Sequence, residues 1–368
     1  MRLHSLAISQ FRLIRQMELQ LPPGLTVFLG ANAQGKTSIL EAVSFLSTGR
    51  SFRTTREKEV IPFESSIHVA RAVGQFTRAQ VNHEISVAIE SAGKRILLDD
   101  KPARSLSQVL GQMTSVFFSP GDLELVQGAP ALRRDFLRLL LAQLDPGSLK
   151  LMTTYDRALK DRNALLRWPS PPRASELDAF EAIMARAAAA LYEQFGTLAE
   201  RLRDAARPFH EQLAAGEELG AALESALPPA LGAARPTEQE LRALWESQRG
   251  PDRQRGTTLH GPHRDDLALT INGEDARKFA SQGQARSLAL SLRLGQLALL
   301  EERWGEPPVL LLDDIVGELD RERTERFLRI VARTGAQALL AATDAAALNA
   351  AGAPVSRLFR IHQGGVLR

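Results

Sequence analysis

An eight-residue segment near the N-terminus has the residue types and spacing of a phosphate-binding loop. It matches the pattern Gly-x4-Gly-Lys-[Ser/Thr] and reads Gly30-Ala31-Asn32-Ala33-Gln34-Gly35-Lys36-Thr37. Glycines let successive backbone N–H groups turn inward around a polyphosphate. The lysine then reaches the β- and γ-phosphates, and the threonine hydroxyl can coordinate Mg²⁺. We therefore predict a nucleotide site made of these eight residues and of Ser38, which follows them.

The residues on both sides of this loop have the patterns that a phosphate-binding loop requires. Residues 25–29 form a short apolar run typical of a buried strand, and the residues from Ser38 onward have helical spacing. The alternative is an ordinary glycine-rich turn between a strand and a helix. The motif in this context is much more specific than the motif alone, so we favour the nucleotide site.

A second apolar run ends in two acidic residues and adds the chemistry of an ATPase. Residues 309–312 predict a buried parallel strand, and Asp313 and Asp314 follow at its carboxyl end, where α/β sheets bind ligands. We expect Asp313 and Thr37 to hold Mg²⁺, directly or through water. We expect Asp314 to orient or deprotonate the attacking water, with Lys36 as the catalytic cation and ATP and Mg²⁺ as cofactors.

Two further segments narrow the class of ATPase. Ser281-Gln282-Gly283-Gln284 stands before a predicted helix over residues 285–302 that leads to the acidic strand, and Gly317-Glu318-Leu319-Asp320 follows the acidic pair. This order resembles that of the ABC-type ATPases. In that class the serine and the helix behind it bind the γ-phosphate held by the opposite subunit, which suits a helix N-terminus. The resemblance implies that Ser281, Gly283 and Gln284 contact nucleotide, with Ser281 acting catalytically in trans.

Blocks spread over most of the chain resemble the RecF recombination-repair family. They are FR (11–12), GRSFRT (49–54), FSPGDL (118–123), RRDFL (133–137), YDRALK (155–160), RNALL (162–166) and GPHRDDL (261–267). The resemblance implies a head like that of SMC proteins without long coiled-coil arms, ATP-dependent homodimerisation on DNA, and loading of recombinase at single-strand gaps with RecR and RecO. By similarity to SMC-type heads, Arg12 is a candidate nucleotide contact.

The hydrophobic periodicity changes along the 368 residues and suggests two lobes. Alternation predicts strands in 5–21 and 81–98, helical spacing dominates 132–255, and strands return at 267–271 and 309–312. We therefore predict an α/β fold in which residues 1–120 and 256–368 form an ABC-type, SMC head-like ATPase lobe. Residues 121–255 form an inserted, mainly helical lobe, and no heptad repeat is long enough for an extended coiled coil.

Composition excludes several classes of protein. The absence of cysteine excludes a disulfide framework and a thiolate metal site, and it fits a cytoplasmic location. No apolar run approaches the roughly 20 residues that span a bilayer, so we expect no membrane partner. The formal net charge of +3 permits binding to nucleic acid without requiring it.

Several charged residues are weaker candidates, each with a solvated-surface or structural alternative. Contacts to nucleotide or DNA phosphates are one interpretation of Arg50, Arg53 and Arg56, and a DNA track is one interpretation of Arg157, Lys160 and Arg167. By analogy with ABC-type proteins, Asp122 is a candidate for the Mg²⁺-sensing loop. A metal site is the less favoured interpretation of His260, His263, Asp265 and Asp266, because Pro262 spoils helical pairing of the histidines. A structural role at the start of the strand 267–271 is favoured.

Two competing functions lack the residues that they require. The nucleotide-binding subunit of an ABC transporter usually carries a histidine in its switch loop, and the matching segment 339–344 has none. A GTP-operated switch requires an Asn-Lys-x-Asp motif, which does not occur in the chain. The sequence therefore favours an ATP-driven dimeric clamp on double-stranded DNA, with slow, DNA-stimulated hydrolysis. It leaves open whether the clamp prefers plain duplex or single-strand/double-strand junctions.

Overall fold

The computed structural model describes residues 1–54, 56–63, 68–231, 235–315, 321–344 and 354–367. The loop Gly317-Glu318-Leu319-Asp320 therefore lies outside the described residues. In chain order the strands are β1 (Arg2–Phe11), β2 (Ile14–Gln20), β3 (Leu25–Leu29), β4 (Val69–Arg78), β5 (Val81–Glu90), β6 (Gly93–Leu98), β7 (Lys101–Pro102), β8 (Ser115–Phe118), β9 (Leu219–Glu224), β10 (Asp266–Ile271), β11 (Glu274–Asp275), β12 (Val309–Asp313), β13 (Ala338–Ala342), β14 (Val355–His362) and β15 (Gly365–Leu367).

The helices of the described residues lie mostly in the middle of the chain. They are α1 (Lys36–Thr48), α2 (Leu123–Gln127), α3 (Pro130–Leu144), α4 (Ser148–Leu166), α5 (Ala174–Leu213), α6 (Glu238–Ser247), α7 (Arg249–Arg255), α8 (Ala276–Phe279), α9 (Gln282–Trp304) and α10 (Arg321–Arg333). The predicted helix over 285–302 is confirmed as α9. None of these helices combines the length and the apolar character needed to cross a membrane.

Two sheets enclose α1. The antiparallel sheet has the strand order β2-β1-β4-β5-β6-β7, and the mainly parallel sheet has the order β15-β14-β3-β13-β12-β8. Within the stretch 81–98, where alternation predicts a strand, Ile85, Val87 and Ile89 of β5 are all buried. Side chains of both sheets and of α1 share one hydrophobic cluster, which explains why α1 is buried on nearly all sides.

The parallel sheet brings distant segments to a common edge. Strands β3, β13 and β12 are successive parallel neighbours, with Asp313 opposite Ala341 and Leu29 opposite Ala342. Because parallel strands end at the same edge of a sheet, the residues after Leu29 and after Leu312 emerge close together. This edge is where the sequence predicts the nucleotide site.

The other face of the parallel sheet continues into the helical segment. A second hydrophobic cluster joins β8 and β12 to α3, α4, α5 and α9. The 40-residue α5 is about 60 Å long and packs against both α4 and α9. This segment also contains a strand that the helical spacing did not predict: β9 pairs antiparallel with β10, with Leu219 opposite Ile271.

Candidate nucleotide-binding site

The phosphate-loop segment forms a tight connection between β3 and α1. Gly35 caps α1 with a φ of 103°, and Ala33 also adopts a positive φ, of 61°. A Cβ atom on Gly30 would lie 2.4 Å from the carbonyl oxygen of Ile361. Glycine is therefore required at position 35 by the backbone conformation and at position 30 by the close approach of another backbone segment.

The turn between β14 and β15 holds this loop from outside. The N–H of Gly364 donates to the carbonyl of Gln34 (2.9 Å), and the N–H of Gln363 donates to the Gln34 side-chain oxygen (2.7 Å). A Cβ atom on Gly364 would lie 2.3 Å from the carbonyl oxygen of Leu13, so only glycine fits. This contact was not predicted, and its only signal in the sequence is the Gln363-Gly364-Gly365 turn.

Lys36 is buried at the start of α1, with its ammonium inside the loop. Its Nζ donates to the carbonyls of Gly30 (2.7 Å) and Ala31 (2.8 Å). Burial lowers the pKa of Lys36, and the carboxylates of Asp314 and Asp313 oppose that effect. The cation therefore stands beside the acidic pair, where a bound polyphosphate would need it.

One hydrogen bond joins the phosphate loop to the acidic strand. The Thr37 hydroxyl donates to Asp313 Oδ1 at 2.9 Å, although the two residues are 276 positions apart. Burial raises the pKa of Asp313, and the hydrogen bond from Thr37 opposes that effect. A hydroxyl and a carboxylate are oxygen ligands of the kind that Mg²⁺ prefers, so this pair fits the predicted metal site.

Asp314 has an unusual backbone conformation at the end of β12. Its φ is 49°, and its N–H donates to the carbonyl of Ala341 at 3.1 Å. A non-glycine residue in the left-handed region is uncommon and is often found at functional sites. The turn ends the strand and leaves the Asp314 side chain lining the same cleft as Lys36.

These residues line a cleft of about 1120 Å³, large enough for a nucleotide. Exposed apolar side chains, Leu13 and Phe63, also line it. The predicted site residues that line the cleft are Arg12, Asn32, Ala33, Gln34, Gly35, Lys36, Thr37, Ser38, Asp313 and Asp314. Gly30 and Ala31 contribute through their carbonyls, as described above.

A buried glutamate on α1 holds two arginines of the cleft. Arg12 donates to both carboxylate oxygens of Glu41, at 3.1 and 2.8 Å, and Arg53 lies 3.7 Å from the same carboxylate. Arg12 also donates to the carbonyl of Glu59 at 2.8 Å. Sequence reasoning did not identify Glu41, although an acidic residue in an otherwise apolar helix is the kind of signal that could have revealed it.

The segment around Ser281 lies at the N-terminus of α9 and forms a capping box. The Ser281 side chain accepts from the N–H of Gln284 (3.2 Å), and the Ser281 N–H donates to the Gln284 side-chain oxygen (2.9 Å). A Cβ atom on Gly283 would lie 2.8 Å from a guanidinium nitrogen of Arg323. Ser281 is exposed, and it is not among the described residues that line the Lys36 cleft.

The weaker candidates lie in varied surroundings. Asp122 pairs with Arg293 at 2.7 Å and lines a neighbouring cleft, which Arg50 shares with Thr37 and Asp313. Other members of these groups lie on the surface: Arg56 pairs with Glu59 at 4.0 Å, Arg157 and Lys160 are exposed on α4, and Arg167 donates to the carbonyl of Asn163 at 2.9 Å.

His260 and His263 both have structural partners. The ring of His263 bonds Tyr155 Oη (2.7 Å) and the carbonyl of Thr258 (3.1 Å), and the ring of His260 bonds the carbonyl of Ala226 (2.8 Å). Within the described part of the chain, no group of three or more His, Cys, Asp or Glu residues is arranged to hold a metal. The contacts support the structural role that the sequence favoured.

Known proteins resemble this chain over nearly its whole length. Residues 2–365 match the family described as the RecF/RecN/SMC N terminal domain. The chain is 36% identical to the DNA replication and repair protein RecF of Chloroflexus aurantiacus, covering 100% of this chain and 99% of that protein. It is 37% identical to RecF of Listeria monocytogenes, covering 89% of each.

Solved structures of related proteins have the same fold as this chain. A structure of the recombination mediator protein RecF-ATP in the RecFOR pathway has a TM-score of 0.89 and 29% identity, covering 99% of this chain and 96% of that one. An Smc head bound to the C-winged helix domain of ScpA has a TM-score of 0.55 at 14% identity, which supports the fold alone. The predicted ABC-type, SMC head-like fold is therefore confirmed, and the described residues contain no long coiled coil. This chain belongs to the RecF family.

Proposed function

We propose that this chain is an ATP-dependent DNA-binding protein of recombinational repair, which acts in the cytoplasm as a slow, DNA-stimulated ATPase with Mg²⁺ as cofactor. Its ATP-bound homodimer would close on double-stranded DNA at single-strand gaps and help RecO and RecR to load recombinase. The observation that carries the proposal is the hydrogen bond between Thr37 and Asp313, because it unites a phosphate loop with the acidic end of β12. The RecF-ATP structure supports ATP as the nucleotide.

The cleft residues have distinct roles in this proposal. The loop N–H groups and Lys36 bind the phosphates, while Thr37 and Asp313 hold Mg²⁺, which neutralises charge on the phosphates. Asp314 accepts the proton of the attacking water. Most transporter ATPases carry glutamate at the position of Asp314. The shorter aspartate reaches the water less well, which suits slow hydrolysis used as a switch.

Hydrolysis would require two copies of the chain. Ser281 is exposed at the N-terminus of α9 and does not line the cleft that contains Lys36 of the same chain. A two-fold axis would place Ser281, Gly283 and Gln284 of each copy at the nucleotide of the other and complete two sites together. Nucleotide binding then favours the dimer through these extra contacts, and hydrolysis removes them.

The lobe division and the DNA contacts belong to the same proposal. Residues 1–120 and 256–368 form the ATPase lobe, and residues 121–255 form the mainly helical lobe. Exposed Arg157 and Lys160 on α4 offer phosphate contacts to duplex DNA or to a single-strand/double-strand junction. Such contacts position DNA without reading its sequence.

The test measures ATP hydrolysis against protein concentration, with and without double-stranded DNA. Specific activity should rise with concentration as the dimer forms, and DNA should stimulate it. Ser281→Arg should bind ATP normally but neither dimerise nor hydrolyse it, whereas Ser170→Arg, in the turn between α4 and α5, should behave like the wild type. A mixture of Ser281→Arg and Lys36→Met should regain at most one working site, in dimers that contain one copy of each variant.

Two results would contradict the proposal. One is a monomeric sample that hydrolyses ATP at a specific rate independent of concentration. The other is a Ser281→Arg protein that still forms ATP-dependent dimers.

A further inference from the structure

Two successive hydrogen bonds link the loop after α5 to the capping box of α9. Glu217, in the loop before β9, accepts through Oε1 from Gln284 Nε2 at 3.1 Å. The Gln284 side-chain oxygen accepts in turn from the N–H of Ser281 at 2.9 Å. Because a carboxylate only accepts, Glu217 fixes which way the Gln284 amide points and so directs its oxygen toward Ser281.

His210 of α5 is buried behind Glu217. Its Nδ1 lies 3.1 Å from the hydroxyl of Ser291, and that hydroxyl already donates to the carbonyl of Ser287 at 2.7 Å. The ring must therefore donate from Nδ1, which leaves Nε2 with a lone pair in the neutral form. Burial lowers the pKa of His210, and the carboxylates of Glu217 and Glu211 oppose that effect.

The second oxygen of Glu217 faces this lone pair. His210 Nε2 and Glu217 Oε2 are 3.7 Å apart, and both atoms are buried without a hydrogen-bond partner among the described residues. Buried polar atoms without partners are rare and costly. Because Oε2 has no partner in the part of the chain that the structure describes, the side chain of Glu217 makes one good hydrogen bond there, the one from Gln284.

We propose that Glu217 is a positioning residue that holds the segment Ser281–Gln284 in the geometry needed at the nucleotide of a second copy. Glu217 lies in the short loop that follows α5, a helix about 60 Å long, so its bond to Gln284 connects the helical segment to Ser281. This inference rests on the proposed role of Ser281 in trans. It adds that the glutamate before β9 controls how well Ser281 is placed.

The experiment compares Glu217→Ala with Glu217→Gln. Alanine removes the acceptor for Gln284. Glutamine keeps an acceptor oxygen for Gln284 and adds an N–H that can donate to His210 Nε2. Glu218→Ala is the matched control, because the Glu218 side chain is exposed and pairs with Arg207 on the surface.

Hydrogen exchange in the nucleotide-free protein is the first readout. Exchange in residues 281–284 should be roughly fivefold faster in Glu217→Ala, the effect of losing one hydrogen bond. It should stay at the wild-type rate in Glu217→Gln and Glu218→Ala. Unchanged exchange within α1 shows that the variants are folded.

The second readout is the protein concentration for half-maximal ATP-dependent dimerisation. This concentration should rise by a similar factor only in Glu217→Ala, and the ATP affinity of the monomer should not change.

A second pair of variants tests the contact directly. In the nucleotide-free protein, Gln284→Glu should speed exchange in residues 281–284, because two carboxylates then face each other, and adding Glu217→Gln should restore the wild-type rate by reversing donor and acceptor. Unchanged exchange in residues 281–284 of Glu217→Ala would overturn the inference, and so would equal effects of alanine and glutamine at position 217. Failure of the proposed function would show separately, in wild-type protein that does not dimerise with ATP.

Discussion

The partly buried His263 and the buried Asp265 should affect the pH dependence of stability in opposite directions. Burial lowers the pKa of His263 from 6.5 to about 4, and its neutral ring bonds Tyr155 and the carbonyl of Thr258. Burial raises the pKa of Asp265 from 3.8 to about 7, although the carboxylate accepts from the N–H of Ala226 at 2.9 Å. We predict that the stability of Asp265→Asn follows the pH dependence that His263 causes, and that the stability of His263→Gln follows the pH dependence that Asp265 causes.

Proton linkage gives the change in the free energy of unfolding that each residue causes between pH 8 and pH 5. His263 stabilises the fold above pH 6.5, and this contribution is lost as the pH falls toward 4, because the unfolded chain binds the proton first. The loss is about 2 kcal/mol at pH 5. Asp265 behaves in the opposite way, because the folded state binds its proton near pH 7 and the unfolded chain only near 3.8. Its gain is about 3 kcal/mol at pH 5, so the two effects largely cancel in the wild type.

Urea unfolding at pH 8, 6.5 and 5 measures this difference. Relative to the wild type, the free energy of unfolding of Asp265→Asn should fall by about 3 kcal/mol on going from pH 8 to pH 5, and that of His263→Gln should rise by about 2 kcal/mol. The comparison removes the titration of all other groups, and the double variant should resemble the wild type. Parallel pH profiles for the wild type and both single variants would refute the reasoning.

The remaining predictions concern the nucleotide and the DNA. Lys36→Met should abolish tight ATP binding, measured with a fluorescent analogue, because it removes the cation from the phosphate loop; unchanged affinity would contradict the site. Asp314→Asn should keep ATP binding and dimerisation but slow turnover by about 10²–10⁴-fold, and a loss of ATP binding would instead make Asp314 a metal ligand. DNA affinity, measured by fluorescence anisotropy, should fall steeply with salt and vary little with sequence, whereas a salt-independent, sequence-selective footprint would exclude phosphate contacts as the main source of affinity.

The parts of the candidate site that the sequence predicts are those with a local signal. The apolar run of β3, the glycines before Lys36 and the acidic end of β12 each occupy a few consecutive residues, so their patterns can be read directly. Their meeting at one edge also follows, because the carboxyl ends of parallel strands share an edge. The hydrogen bond between Thr37 and Asp313 is the result.

The parts that the sequence did not predict depend on contacts between distant segments. Glu41 matters because it lies under Arg12 and Arg53, and no periodicity reveals which charges meet across a fold. The turn at Gly364 matters because it bonds Gln34, some three hundred residues earlier in the chain. Strand β9 lies in a helix-rich stretch and pairs with β10, which begins at Asp266 after two intervening helices, so the helical spacing around β9 hid it.

In the proposed dimer, helix α9 physically links the nucleotide of the other copy to the metal site of its own chain. Its first turn carries Ser281, which the proposal places at the nucleotide of the other copy, and its last residue, Trp304, is followed after a short connection by β12 and Asp313. A helix of 23 residues is about 34 Å long, and its ladder of backbone hydrogen bonds makes it a rigid element along its axis. A shift of Ser281 as the dimer forms would therefore act on the position of Asp313 in the same chain. Since Asp313 must stay within a hydrogen bond of Thr37, the geometry of each metal site would depend on how well its own chain contacts the other nucleotide.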